Sequence, residues 1–179
     1  MERFLGLLDT VLDADSRPLI FTQYREMGEI LREVISDRIG VTVPFYHGGL
    51  SREVRERLVH RFQNEDGIPL MIVSLRAGGT GLNLTRAHHV FHYDRWWNPA
   101  VEDQATDRAF RIGQTRDVTV HRLVSQGTLE EQIDRLLSRK RSLANQVVVS
   151  GETWLTDIDD ATLKDLASLG QDAVMEDEQ

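Results

Sequence analysis

PLMIVSL, residues 69–75, runs directly into RAGGTGLN, residues 76–83. The first stretch is a short, almost wholly apolar run behind a proline. A run of that length and composition reads as a strand buried on both faces, as central strands of parallel sheets are. The second is a glycine-rich loop that ends it. Working outward, the same alternation repeats on both sides. PLIFTQY (18–24), VTVPFY (41–46), HVFHYD (89–94) and VTVHRLV (118–124) read as further strands. Between them lie helical patterns. Phe4, Leu5, Leu8, Val11 and Leu12 fall on one helix face, and Met27, Ile30, Leu31, Val34 and Ile35 recur at helical spacing before Gly40. Ser51 is placed to cap a helix with Val54, Leu58 and Phe62 inward. Asn98 and Pro99 read as cap and first residue of another, expected to run on through Arg111. Thr128 and Glu131 form a capping-box pattern ahead of Leu129, Ile133, Leu136 and Leu137. Strands alternating with helices predict an α/β fold, a parallel sheet covered on both faces.

Composition sets limits on function. The chain has 179 residues and no cysteine, which excludes a disulfide scaffold, a thiolate metal site and a thiol nucleophile. Zero cysteine fits a reducing compartment. The longest apolar stretch is about seven residues, against the ~20 needed to cross a bilayer. MERFLGLLDT (1–10) carries acids at Glu2 and Asp9 and is not expected to be a secretory signal. Net charge is −8, and all of it falls in residues 152–179, which hold nine acids and Lys164 as the one base. The body is therefore neutral. Of 21 basic residues 19 are arginine, with only Lys140 and Lys164 besides, a bias that either phosphate binding or genome composition explains. The helical pattern weakens after Gly151. Ala161–Leu169 reads as a short helix, and the acidic Gln171–Gln179 is expected to fray.

In open parallel sheets, ligands sit at the carboxyl ends of the strands. The unusual residues all follow strands: His47-Gly48-Gly49, then 76–81, then 94–97. Gln104, Arg108 and Arg111, spaced by four and three, are expected on one helix face, where two arginines and an amide can grip a polyphosphate. The alternative is a solvated face on which Glu102 and Asp107 pair locally. The glycine loop can offer backbone N–H groups to an anion, or can simply be a turn needing positive φ. It is not a Walker A loop, since no lysine precedes residue 140. Trp96 and Trp97 can stack on bases, or one can belong to the core. His88 and His92 share a strand face but stand roughly 13 Å apart, too far for one ion. No metal site is expected, and Ser74 lacks a hydrolase context.

Taken in order, these motifs resemble the second RecA-like lobe of the Swi/Snf-type ATPases, a branch of superfamily-two helicases that translocate on double-stranded DNA. PLIFTQY resembles motif four, and YHGGLSREVRERLVHRFQ (46–63) the next motif. Residues 71–94 resemble motif five. RWWNPAVEDQATDRAFRIGQ (95–114) resembles the Trp-Asn-Pro element and motif six. EEQIDRLLSRKRSLANQVVVSGETWL (130–155) resembles the closing helices of bacterial members. Phe110 stands where the family often has His, and Arg95 where bacterial members often have Pro.

The resemblance implies a helicase C-terminal lobe over 1–150, followed by an acidic, partly helical extension at 151–179. It implies that Arg108 and Arg111 are finger arginines, with Gly79, Gly81, Asn83 and Gln104 beside the nucleotide. Thr22, His47, Gly48, Ser74, Arg76, Ala77 and Trp97 would face DNA. The phosphate loop and the acidic Mg²⁺-holding box of a first lobe are missing from the chain. The implied partners are therefore that N-terminal lobe, ATP, Mg²⁺ and duplex DNA, with no membrane, and a cytoplasmic, nucleoid-associated setting if the source is bacterial. A non-catalytic binding module with the same fold, and a nucleotide-binding enzyme unrelated to DNA, stay open as alternatives.

Overall fold

The structure is a computed structural model that describes residues 1–135 except 15, 66, 78–81, 97, 98, 112, 115, 129 and 133. The chain divides into two units, Met1–Leu123 and Val124–Gln179.

The first unit opens with α1 (Glu2–Asp13), followed by β1 (Leu19–Thr22), α2 (Arg25–Ile39), β2 (Phe45–Tyr46) and α3 (Arg52–Asn64). Then come β3 (Met71–Ser74), a single 3₁₀ turn at Leu75–Ala77, β4 (His89–His92), α4 (Pro99–Thr106) and β5 (Thr119–Arg122). The five strands form one sheet in the order β2-β3-β1-β4-β5, and every pairing is parallel. Thr22 pairs with Ser74 and Phe21 with His92, so the functional ends of the three central strands finish level.

Alternation along the strands splits the core into two layers, since successive side chains point to opposite faces. Leu19, Phe21, Met71, Val73 and Val90 pack with Phe62 of α3 and with Ala105 and Ala109. Ile20, Ile72 and Phe91 pack on the other face with Phe4, Leu5, Leu8 and Val11 of α1 and Leu31 and Ile35 of α2. The two-sided cover that the alternation predicts is present. The strands are shorter than the apolar runs; β2 keeps two residues of the six in 41–46.

Helix ends follow the local chemistry. Ser51 Oγ accepts from the Val54 N–H, as expected of a cap. Gly40 closes α2 at φ +70, where a side chain would be strained. Pro99 is the first residue of α4, while its expected cap, Asn98, lies outside the described residues.

The helix expected to run to Arg111 ends at Thr106 instead. The hydroxyl of Thr106 bonds back to the Glu102 carbonyl (3.0 Å), and although the Asp107 N–H still reaches four residues back to Asp103, those of Arg108 and Ala109 reach only three, to Ala105 and Thr106. The tightened turn frees the Arg108 carbonyl to accept from the Leu84 N–H (2.9 Å). A tertiary bond thus replaces the helical ladder.

In the second unit, the capping box is shifted by one residue. Thr128 Oγ1 accepts from the Glu130 N–H, and Glu131 reaches the Gly127 N–H (2.9 Å). Leu129, Ile133, Leu136, Leu137, the expected boundary at 150 and the extension at 151–179 lie outside the described residues.

Candidate nucleotide and nucleic-acid site at the carboxyl edge

In the order β2-β3-β1-β4-β5 the chain leaves β1 toward one edge of the sheet, to β2, and leaves its neighbour β4 toward the other, to β5, so the connections diverge at the centre, where a parallel sheet opens a crevice beyond its strand ends. Residues from four strand ends meet there.

At the end of β1, Thr22 is fully buried. Its hydroxyl donates to Asp94 Oδ2 in a short hydrogen bond, and Asp94 Oδ1 accepts from the Gln23 N–H (2.8 Å). Tyr93 N–H donates to the Phe21 carbonyl (2.9 Å) and Gln23 Nε2 to the Arg95 carbonyl (3.2 Å). The ends of β1 and β4 are thereby stapled together. After β2, His47 is buried against the Phe45 ring, and its Nδ1 accepts from the Gly49 N–H (3.1 Å). Burial, with the Arg25 and Arg32 cations against Glu29, holds this imidazole below its ordinary pKa. After β3, Ser74 and Ala77 are buried while Arg76 is exposed, its guanidinium 5.6 Å from the centre of the Trp96 ring. Gly48 is exposed, and a Cβ built on it would stand 3.9 Å from that of Ala77, so the loops after β2 and β3 adjoin.

The nucleotide-side residues divide. Gln104 is exposed on α4, whereas Arg108 and Arg111 lie in the turn after it, Arg108 buried and Arg111 exposed. The single helix face expected of the three is therefore not formed, because α4 ends first. Burial pushes the Arg108 guanidinium below its ordinary pKa, Arg111 acts in the same direction and the Tyr46 phenol against it. Asn83 is exposed, one residue from the Leu84–Arg108 backbone bond. Gly79, Gly81 and Trp97 lie outside the described residues.

Glu102 is not on a solvated face. It is completely buried, with Oε1 accepting from Arg95 Nε and from the Trp96 N–H, each at 2.9 Å, and Oε2 3.5 Å from Arg122 Nε. Beside it, His92 Nε2 meets Thr106 Oγ1 at 3.0 Å. The Thr106 hydroxyl hydrogen goes to the Glu102 carbonyl, so Nε2 carries the imidazole proton. Burial lowers the His92 pKa to about 4, with Arg122 and Arg95 adding to the shift and Glu102 and Asp103 opposing it. Gln114 pins the turn after α4, its Nε2 amide sharing two hydrogens among the carbonyls of Thr85, Ala87 and Ala109.

From sequence, Asp94 is expected only as one of the residues following β4 and Glu102 only as a solvated acid, while no role is expected of Gln114. For Glu102 there was a signal: residues 102, 105 and 109 follow at three and four, an inward stripe whose other members are alanines.

Comparison with known proteins finds a family and relatives for this fold. The helicase conserved C-terminal domain family matches residues 2–113. The Bacillus subtilis protein YwqA, named for an ATP-dependent helicase/translocase, is 47% identical over 173 residues, covering 97% of this chain and 18% of YwqA. Helicase swr1 of Schizosaccharomyces pombe is 40% identical over 169 residues, covering 88% of this chain and 13% of swr1. Both relatives are thus several times longer than the chain. The Sulfolobus solfataricus SWI2/SNF2 ATPase core in complex with double-stranded DNA superposes with a TM-score of 0.72 at 43% identity, covering 92% of this chain and 34% of that one. The C-terminal domain of the Sulfolobus ATPase gives a TM-score of 0.68 at 40% identity, covering 92% and 66%.

Proposed function

Since the chain belongs to the helicase conserved C-terminal domain family and is homologous to SWI2/SNF2 ATPase C-terminal domains, with their RecA-like fold, we propose that it is the second motor lobe of an ATP-dependent translocase on double-stranded DNA. The observation that supports this best is the turn after α4. It carries Arg108, whose carbonyl takes the Leu84 N–H beyond β3, and Arg111, on a chain that has no lysine before residue 140.

The reaction is ATP plus water to ADP and phosphate. Charge spreads over the equatorial oxygens of the transferring phosphoryl group, and an arginine fork stabilises it there. Arg111, exposed and ending in a planar guanidinium fork, is the residue that can reach out to a nucleotide held on a first lobe. Arg108, buried and held through its carbonyl by the Leu84 N–H, sets the turn and adds a second positive charge beside it. Gln104 and Asn83, both exposed, are assigned to the nucleotide in the same reading. Mg²⁺, which accompanies ATP, is assigned in this reading to the first lobe; among the described residues no group of three or more His, Cys, Asp or Glu could hold a metal ion.

On the DNA side, exposed Arg76 and the backbone at Gly48 are the groups able to meet a phosphate directly, while Thr22, His47, Ser74 and Ala77 build the floor beneath them. Contacts of this kind position a duplex without reading its sequence. No described helix is long and apolar enough to cross a membrane.

The test is ATP hydrolysis by a protein carrying both lobes, with and without duplex DNA. Stimulation by duplex irrespective of sequence is the expected result. Hydrolysis indifferent to DNA points to a nucleotide enzyme of another kind, and no hydrolysis at all to a binding module.

A further inference from the structure

We propose that Glu102 is a positioning residue for phosphoryl transfer, holding the loop that carries Trp96 and the helix that leads to Arg108 in one fixed relation. The inference rests on the motor-lobe reading above.

Three chain segments converge on this one carboxylate. Arg95 and the Trp96 N–H reach it from the loop after β4, Glu102 itself stands on α4, and Arg122 approaches from β5. Arg122 also lies 3.6 Å from Asp103, on the outer side of the same helix turn. The His92–Thr106 bond ties β4 to α4 a second time. Glu102 and Arg95 are essentially without solvent contact, at 0% and 1% of their side-chain surface, while Arg122 is 29% exposed.

A charged pair buried this deeply is a poor source of stability, because desolvating both ions offsets most of their attraction, and apolar residues of similar volume commonly do as well. It is a good source of geometry. Charge-assisted hydrogen bonds are short and directional, and they hold donor and acceptor in register where apolar packing tolerates sliding. The two things held are the two functional ends of the site. Trp96 stacks under the exposed Arg76, and α4 runs out within two residues into the turn bearing Arg108. Losing the lock leaves the fold able to form but lets the arginine turn drift relative to the strand ends, and a misplacement of ~1 Å is enough to cost about 10²-fold in rate.

The experiment uses the full two-lobe protein and follows kcat, the KM for ATP and the thermal melt in the presence of duplex DNA. Glu102→Gln keeps the size and the bond from Trp96 but discards the charge facing Arg95 and Arg122. Its kcat is expected to fall ~10–100-fold with the KM for ATP moved less than about threefold, the pattern of an interaction needed in the transition state and not for binding. Glu102→Asp, which keeps the charge but withdraws it by one methylene, should fall between Gln and the parent. The double variant Arg95→Leu with Glu102→Leu separates positioning from folding: its melting temperature should return to near the parent's while kcat stays low. If the double variant regains kcat together with its melting temperature, Glu102 is merely structural and the proposal is overturned. Parent-like turnover in Glu102→Gln overturns it as well. A parent protein that does not hydrolyse ATP in response to DNA overturns the motor reading instead, a result visible before any variant is made.

Discussion

Asp94 takes the hydroxyl hydrogen of Thr22, and the two residues close the ends of β4 and β1 over one another inside the protein. A hydroxyl has one hydrogen to give. While it goes to Asp94, Thr22 has none for a DNA phosphate. Thr22→Val, which keeps the shape and removes the donor, should therefore act on stability. Leaving a buried acceptor short of a partner costs about 1–3 kcal/mol. Chemical denaturation should show that loss, with DNA affinity changed far less. A variant that melts like the parent but binds DNA many-fold more weakly assigns the hydroxyl to DNA and not to Asp94.

Gly28 sits where α2 crosses the Phe45 ring. A Cβ there would stand 2.2 Å from Phe45 Cζ and 2.6 and 2.7 Å from the two Cε atoms. Two effects oppose each other in Gly28→Ala. Alanine favours a helix interior by up to ~1 kcal/mol over glycine. Overpacking a core typically costs ~1–3 kcal/mol, and the ring is 6% exposed with little room to yield. The clash should win, and a thermal melt should show net destabilisation. Gly28→Ala combined with Phe45→Leu should recover much of the loss, and a strictly additive double mutant would refute the contact as its cause.

The fold was legible where period and punctuation agreed. The apolar run at 69–75 and the spaced apolar residues of 27–35 became β3 and α2, and Gly40 ended α2 as a left-handed cap. Site geometry was less legible, because long-range bonds override local pattern. Spacing alone put Gln104, Arg108 and Arg111 on one face, but the Leu84–Arg108 bond and the Thr106 back-bond end the helix before the arginines. Glu102 looked like a surface acid because its neighbours Asp103 and Asp107 are charged. Its partners Arg95 and Arg122 lie seven residues before it and twenty after it, the second across a strand pairing that no local reading supplies.

Stability should decline on mild acidification. The pKa of His92 is lowered to about 4 and those of His47, His88, His89 and His121 are lowered too, all mainly by burial. In each case the unfolded chain takes up the proton first, so the folded state has its full stability above the ordinary pKa of ~6.5 and loses it as pH falls. For His92 the loss continues down to about pH 4. Over that window, at ~1.4 kcal/mol per unit, it amounts to roughly 3 kcal/mol. His89 and His121, with facing nitrogens 2.9 Å apart, also lose their shared hydrogen bond once both are protonated. Denaturant titrations at pH 7.5, 6, 5 and 4.5 check this. His92→Leu should flatten the slope by about one proton's worth, and a curve independent of pH would contradict the burial argument.

The chain by itself should not release phosphate from ATP at a useful rate. It has no lysine before residue 140 and so no phosphate loop, and in the motor-lobe reading the arginines of the α4 turn act on a nucleotide that another lobe presents. Malachite-green assays on the purified chain, with and without duplex DNA, measure this. Sustained turnover that co-elutes with the protein would show that the chain carries a nucleotide site of its own.

The two arginines of that turn should separate on mutation, because the structure gives them different surroundings. Arg111 is exposed and Arg108 is 6% exposed. A finger arginine contributes ~10³–10⁵ in turnover, which is roughly 4–7 kcal/mol of barrier. Arg111→Ala in the two-lobe protein should therefore collapse kcat by about that factor. Its melting temperature should barely move, since a substitution at an exposed position is usually within ~0.5 kcal/mol of neutral. Binding of ATP should weaken far less than turnover, because the first lobe holds most of the nucleotide in this reading. Arg111→Lys should rescue poorly, since an ammonium keeps the charge but cannot fork onto two phosphate oxygens. Arg108→Ala should lower turnover as well, but with a measurable drop in melting temperature, because it empties a buried site and loosens the turn that Leu84 holds. Kinetics and melts on the same four proteins decide the matter. If Arg111→Ala hydrolyses DNA-stimulated ATP within a few-fold of the parent while Arg108→Ala does not, the buried arginine carries the catalytic charge and the roles are reversed. If both retain activity, the turn after α4 is not the finger.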